Sequence, residues 1–165
     1  MASAKQDQEI TVHIAGDFKD IEVRLSELRK LVKAVCNRFK LSKATVSIAI
    51  VDDAQIRELN KQFLNSKSAT DCLSFDLTDD EEPQPPKLLE LIVNGEMAVR
   101  QANLRGHSSE AELALYITHG LLHHLGFDDS TESQARKMHD MEDEILQQFG
   151  YGLVYNKRKR ILNDE

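Results

Sequence analysis

Cysteine is almost absent from this chain of 165 residues: Cys36 and Cys72 are the only two, and neither belongs to a Cys-x-x-Cys pair. That excludes a disulfide framework and a thiolate zinc or redox centre, and both thiols are expected to be buried as small apolar side chains. No apolar run approaches the roughly 20 residues needed to cross a bilayer. The N-terminal MASAKQDQEI also lacks the apolar centre of a secretory signal. A cytoplasmic protein with no membrane contact is expected. An excess of positive charge is missing as well. The 28 acidic and 21 basic residues give a net charge of −7, which argues against nonspecific coating of nucleic acid and still permits a local basic site. Nothing repeats internally, and all three prolines fall within one segment, so no boundary divides the chain.

What is present suits one domain with a real core: 41% of residues are hydrophobic and 30% charged. EITVHI (9 to 14) alternates as a half-buried strand does, with His13 pointing outward. From Asp20 the period becomes helical, with Leu25, Leu28, Leu31, Val32, Val35 and Phe39 on one face, ending near Lys40. ATVSIAIV (44 to 51) is a second strand, and Asp52 is placed to cap a helix from Ala54 to about Phe63. After the loop NSKSAT, the stretches CLSFDL (72 to 77) and LLELIVN (88 to 94) form a strand pair joined by the acidic, proline-rich loop 78 to 87. Gly95 breaks the second strand, and a helix runs from about Glu96 to Leu104. Ser109 with Glu112 and Thr131 with Gln134 stand in capping-box relation, opening helices that close near Leu125 and Phe149. Ala135, Met138, Met141, Ile145 and Phe149 form the packing face of the last helix. The acidic run Asp79 to Glu82 and the basic run Lys157 to Arg160 read as solvated surface, and the tail 156 to 165 as disordered. These elements predict an α+β fold, a small mixed sheet packed with helices, among them a zincin-like metal helix.

The chemistry concentrates in THGLLHHLGFDDS, residues 118 to 130. His119 and His123 are four apart, so on a helix both imidazoles rise from one face about a turn from each other. Gly126 supplies a backbone tolerant of left-handed angles, and the turn it makes can return an acid to the imidazoles. His119, His123 and Asp129 are therefore the expected ligands of one divalent metal. A catalytic zinc takes three such protein ligands and leaves a position for water, whose pKa falls to about 7. The metalloprotease pattern puts a Glu directly after the first His as general base; here that residue is Gly120. His124 is rotated about 100° round the helix from His123 and should face elsewhere. His139, on the last helix, reads as a surface residue, and His107, before the central helix, as a local hydrogen-bonding partner.

The run HGLLHHLGFDD, preceded by ATDCLSFDL and NGEMAV, resembles the YbeY endoribonuclease family, and the likeness extends from Val46 to Phe149. VDDAQIRELNKQFL is similar to the family's first strand-to-helix segment, TDCLSF to its Thr-Asp/Asn-x-Leu-Ser-Phe signature, and GHSSEAELALYITHGLLHHLGFDD to its metal-helix block. The resemblance implies a zinc site and cleavage of single-stranded RNA. It further implies a role in 16S ribosomal RNA 3′-end maturation and ribosome quality control, with the ribosome or small-subunit proteins as partners, in the cytoplasm. Two positions depart from the family pattern. Its usual third histidine is Asp129 here, a harder donor that would admit other divalent ions beside zinc. Its usual arginine after the aromatic residue of the second helix is Leu64, which cannot hold a phosphate; Lys61 and Lys67 are the nearby candidates to replace it.

The expected reaction is metal-assisted phosphodiester hydrolysis, with Asp128 and Lys67 as candidate catalytic groups. Lys61, Lys67, Asp71 and Ser74 are candidates for the RNA groove. A 2′-hydroxyl attack is open at this point, and so is the general base. Two other classes share the ligands: a zinc peptidase or amidase, against which Gly120 counts, and a noncatalytic, metal-stabilised ribosome-assembly factor, which Leu64 and the acidic charge favour.

Overall fold

A computed structural model describes residues 9–16, 21–64, 70–81, 83, 85–152 and 154. The order of elements is β1 (Glu9–Gly16), α1 (Leu25–Arg38), β2 (Lys43–Val51), α2 (Asp53–Leu64), β3 (Cys72–Asp76), β4 (Lys87–Asn94), α3 (Gly95–Arg105), α4 (Ser109–His124) and α5 (Glu132–Gln148). The four strands form one sheet in the order β1-β2-β4-β3. β1 and β2 run parallel, as do β2 and β4, while β3 lies antiparallel on β4 with Cys72 opposite Val93. The strand pair expected around the acidic loop is therefore β3 and β4, and β3 is an edge of the sheet.

Alternation within the strands divides the core. Val46, Ile48, Ile50, Leu89, Leu91 and Val93 face α1 and α4, whose Leu28, Leu31, Leu113, Ile117 and Leu121 are fully buried. Leu73 and Ile92, paired across β3 and β4, alternate with that set and pack with Ile56 of α2 on a separate, smaller cluster. α4 is buried almost all round from Glu110 to Leu122, which makes it the central helix of the domain. α5 packs through Met138, Ile145 and Leu146, with Met141 and Phe149 half-buried beside them.

The helix starts show where local signals were read correctly. Asp52 accepts the Gln55 N–H at 2.8 Å while the Gln55 side chain accepts the Asp52 N–H at 3.0 Å, a capping box at the head of α2. Thr131 and Gln134 form the same device on α5. Three boundaries differ from expectation. α1 begins at Leu25, because Arg24 is extended and its N–H is taken by Glu110 at 2.7 Å. Gly95 opens α3 rather than separating it from β4, since Asn94 caps that helix by accepting the Met97 N–H. The cap of α4 is Ser108, whose hydroxyl accepts the Ala111 N–H at 3.1 Å; Ser109 does not serve, and Glu112 is instead buried against Arg105 and His107. Cys36 is buried and Cys72 half-buried, and burial pushes both thiols well above the usual range.

Candidate metal centre

The site is built at the C-terminal end of α4. Its last two turns carry His119 and His123, and the helix stops at Leu125. There Gly126 takes a φ of 96°, and the Phe127 N–H turns back to the Leu122 carbonyl at 3.0 Å. The returning chain brings Asp129 to the histidines, as the sequence predicts. Nε2 of His119 and Nε2 of His123 are 3.1 Å apart, and Asp129 Oδ2 lies 4.0 and 3.8 Å from them. One donor atom from each of the three residues falls within a sphere of mutual separations no larger than 4.8 Å.

This donor set fits a divalent ion. Two nitrogens bound to zinc at 2.0–2.1 Å in a tetrahedral arrangement sit about 3.3 Å apart, close to the observed spacing. The tautomer fits too. Nδ1 of His119 is 3.1 Å from Glu142 Oε1, a carboxylate that only accepts, so the ring proton resides on Nδ1 and Nε2 presents its lone pair to the shared space. Glu142 is 1% exposed and its Oε1 also receives Nδ1 of His139 at 3.0 Å. The His139 ring stacks on that of His119 at 6.4 Å with 14° between planes. Burial opposes the Glu142 charge, but the hydrogen bonds from the two histidines outweigh it and hold its pKa below the usual carboxylate value. Burial likewise pulls His119 down, and the bond to Glu142 and the charges of Glu142, Asp71 and Asp129 raise it overall.

Sequence reasoning misses Glu142 and the half-buried place of His139 beside it. The signal existed: Glu142 falls between Met138 and Ile145 on the apolar stripe of α5, where an acid requires a partner. His139, read as a surface residue, is half-buried against the site because that same acid draws it in. His107 does bond locally, its Nε2 2.6 Å from Glu112 Oε1. His124 faces away from His123 as expected, toward Asp76 and Lys87, and burial lowers its pKa.

The other candidates spread more widely. Both oxygens of Asp128 accept from the Ser130 hydroxyl, at 2.7 and 2.8 Å, and one also accepts the Asp129 N–H; the side chain stays exposed and shapes the turn. Asp71 and Ser74, just before and within β3, are half-buried. Lys61 is exposed on the last turn of α2, beside Phe63 and a Leu64 that is 57% exposed. Lys67 lies outside the described residues. Gly120, following His119, faces the sheet: a Cβ there would sit 3.0 Å from both Cys72 Sγ and a Leu91 methyl.

A family model described as Endoribonuclease YbeY matches residues 13–150. The chain belongs to the YbeY endoribonuclease family. It is 34% identical over 148 residues to Endoribonuclease YbeY of Macrococcus caseolyticus, covering 86% of this chain and 96% of that protein. It is 35% identical over 138 residues to the one of Bacillus licheniformis, covering 78% and 87%. Among solved structures, TM1509 of Thermotoga maritima, determined in solution, shares the fold at a TM-score of 0.56 with 22% identity, over 94% of this chain and 96% of that one. The α+β expectation and the resemblance drawn from HGLLHHLGFDD and TDCLSF are thereby borne out. Among the described residues, no helix is long and apolar enough to cross a membrane.

Proposed function

We propose that this protein is a metal-dependent endoribonuclease that hydrolyses single-stranded RNA at the His119–His123–Asp129 centre, with zinc as the ion held there. Membership of an endoribonuclease family makes it an RNA-cleaving hydrolase. The observation that carries the metal reading is the convergence of the two Nε2 atoms, 3.1 Å apart, with the Asp129 carboxylate. A divalent ion in that position would polarise a phosphoryl oxygen and make a nearby water more acidic. The chain's own residues do the rest. Glu142 fixes the tautomer and orientation of His119. Lys61 and Lys67 are the proposed contacts to the RNA backbone in place of the arginine that Leu64 displaces. The natural substrate proposed from the family resemblance is the 3′ end of 16S ribosomal RNA, with a part in ribosome quality control in the cytoplasm beside small-subunit proteins.

A peptidase at this centre is disfavoured by Gly120. The position where that chemistry needs a glutamate is packed on β3 and β4 and turned away from the imidazoles. The deciding experiment loads the protein with zinc and offers it a single-stranded RNA and a peptide beside His119→Ala and Asp129→Ala. RNA cleavage by the wild type, abolished by His119→Ala and weakened by Asp129→Ala, with the peptide intact, is the expected result. Equal RNA cleavage by the wild type and His119→Ala would sink the assignment.

A further inference from the structure

The turn that brings Asp129 to the histidines also walls a concavity of about 240 Å³, bounded by Leu125, Gly126, Phe127 and Asp128 and, from α5, by Gln134 and Lys137. Its floor is apolar. Leu125 and Phe127 are half-buried, and the Phe127 ring is steadied by an edge contact with Phe39 at 5.6 Å between centroids. Gly126 keeps the floor low: a Cβ there would meet nothing within 4 Å, so bare backbone faces open space.

The rim is polar and offers both kinds of hydrogen-bonding group. Asp128 is fixed through Oδ1, which accepts the Asp129 and Ser130 N–H groups at 2.7 and 3.2 Å, while Oδ2 shares the Ser130 hydroxyl at 2.8 Å and keeps acceptor capacity. Gln134 commits its Oε1 to the Thr131 N–H at 3.2 Å, which leaves the two N–H donors of its amide. Lys137, three residues on along the same face of α5, is exposed and adds a cationic donor.

These features select a ligand. The volume lies below the roughly 300 Å³ at which sites for drug-sized molecules begin, so it suits a single ring system. Asp128 and Asp129 would repel a phosphate, and an aliphatic group would leave the rim unpaired. A nucleobase meets both demands: an apolar face for the floor and, on its edge, N–H donors for Asp128 and acceptors for Gln134 and Lys137. Its place agrees. Asp128 and Asp129 are consecutive, with Cα atoms about 3.8 Å apart, and Asp129 Oδ2 is 3.8 Å from Nε2 of His123. A strand crossing the metal centre therefore puts a neighbouring base at this concavity.

We infer that the concavity is a subsite for one unstacked base adjoining the bond that is cut, with Leu125 and Phe127 beneath the base and Asp128, Gln134 and Lys137 on its edge. The RNase reading above supplies the identity of the strand. A paired base has its edge occupied, so the subsite favours single-stranded RNA.

The test joins a binding readout to a cleavage readout on the full chain. In the metal-free protein, the NMR signals of the Leu125 methyls and the Gln134 side-chain amide should shift on saturation with a short single-stranded RNA. With the same RNA made abasic, the shifts should fall to less than about a third. Zinc-loaded protein is then given end-labelled RNAs in which one abasic residue is walked along the strand. Cutting should drop about fivefold or more at one bond a fixed number of nucleotides from the missing base. Lys137→Ala, at an exposed helical position where alanine favours folding, should lower kcat/KM by about three- to tenfold where the base is present and by less than about twofold where it is missing. Equal NMR shifts with both RNAs overturn the inference, as does cutting indifferent to the abasic residue, or a Lys137→Ala loss that is the same with and without the base. Any of these beside zinc-dependent cleavage leaves the RNase reading standing and removes the subsite alone. Wild-type cleavage equal to that of His119→Ala removes the RNase reading and, with it, the cut bond that the subsite adjoins.

Discussion

Glu142 orders the candidate metal centre from behind, through Nδ1 of His119. A free imidazole chooses between two tautomers, and only one of them leaves Nε2 of His119 available to a cation. The buried carboxylate makes that choice in advance and holds the ring in place. Asp129 is different in kind: it is exposed, reaches the site from a turn, and adds charge rather than order. Replacing Glu142 by Gln keeps the shape and removes the charge. Glu142→Gln should therefore weaken zinc binding by about 10- to 100-fold, read by competition with a chelator of known affinity. An unchanged affinity would mean that His119 is oriented by its packing alone. At this scale the sequence was partly legible. The His119 and His123 spacing and the Gly126 turn are local, so they announce the convergence of His119, His123 and Asp129 directly. Glu142 is 23 positions from His119 and meets it only because α5 folds across α4, which no local pattern encodes.

Among the elements, the contact of α4 with β3 seats the helical turn that carries His119 against the strand. Gly120 permits it, being the place where the helix comes close enough for Cys72 and Leu91 to fill the space a side chain would occupy. Gly120→Ala should cost about 1 to 3 kcal/mol in urea unfolding, since its methyl would meet the thiol and the leucine methyl at 3.0 Å. Ala favours helix over Gly by up to about 1 kcal/mol, so a variant as stable as the wild type or more so would show that the two elements separate freely. The elements themselves were largely legible because their signals are short-range: the period change after β1, the Asp52 and Thr131 caps, and the prolines between β3 and β4. Where the reading slipped, a distant partner had intervened. Ser108 took the cap expected of Ser109 because Glu112, the other half of that supposed box, is held by Arg105 and His107. α1 starts late because Glu110, 86 positions away, holds Arg24 extended.

At the scale of the whole molecule, buried carboxylates tie together segments that are far apart in the chain. Glu110 binds the Arg24 guanidinium at 2.7 and 3.1 Å and accepts the Tyr151 hydroxyl at 2.6 Å, joining the approach to α1, the first turn of α4 and the segment after α5. Glu112 links α3 to α4, and Glu142 links α4 to α5. For all three, burial works against the charge and the hydrogen bonds to their partners prevail, so each folded pKa lies below the ordinary 4.5. A depressed carboxylate pKa contributes stability that is complete above the unfolded value and is lost as pH falls through the folded one. Around neutrality two histidines oppose each other. His119, raised above 6.5, contributes stability below that value and loses it as pH rises; His124, lowered by burial, does the reverse. The metal-free protein should accordingly hold a nearly constant urea midpoint between about pH 8 and 5 and lose it progressively below about 4.5, as pH falls toward the lowered pKa values of the three ties. A midpoint that stays level down to about pH 3 would show that these carboxylates are neutral passengers in the fold. Zinc should add a dependence of its own in the neutral range, because protons compete with the ion for His119 and His123, so the loaded protein should lose midpoint from about pH 7 downward while the metal-free one does not.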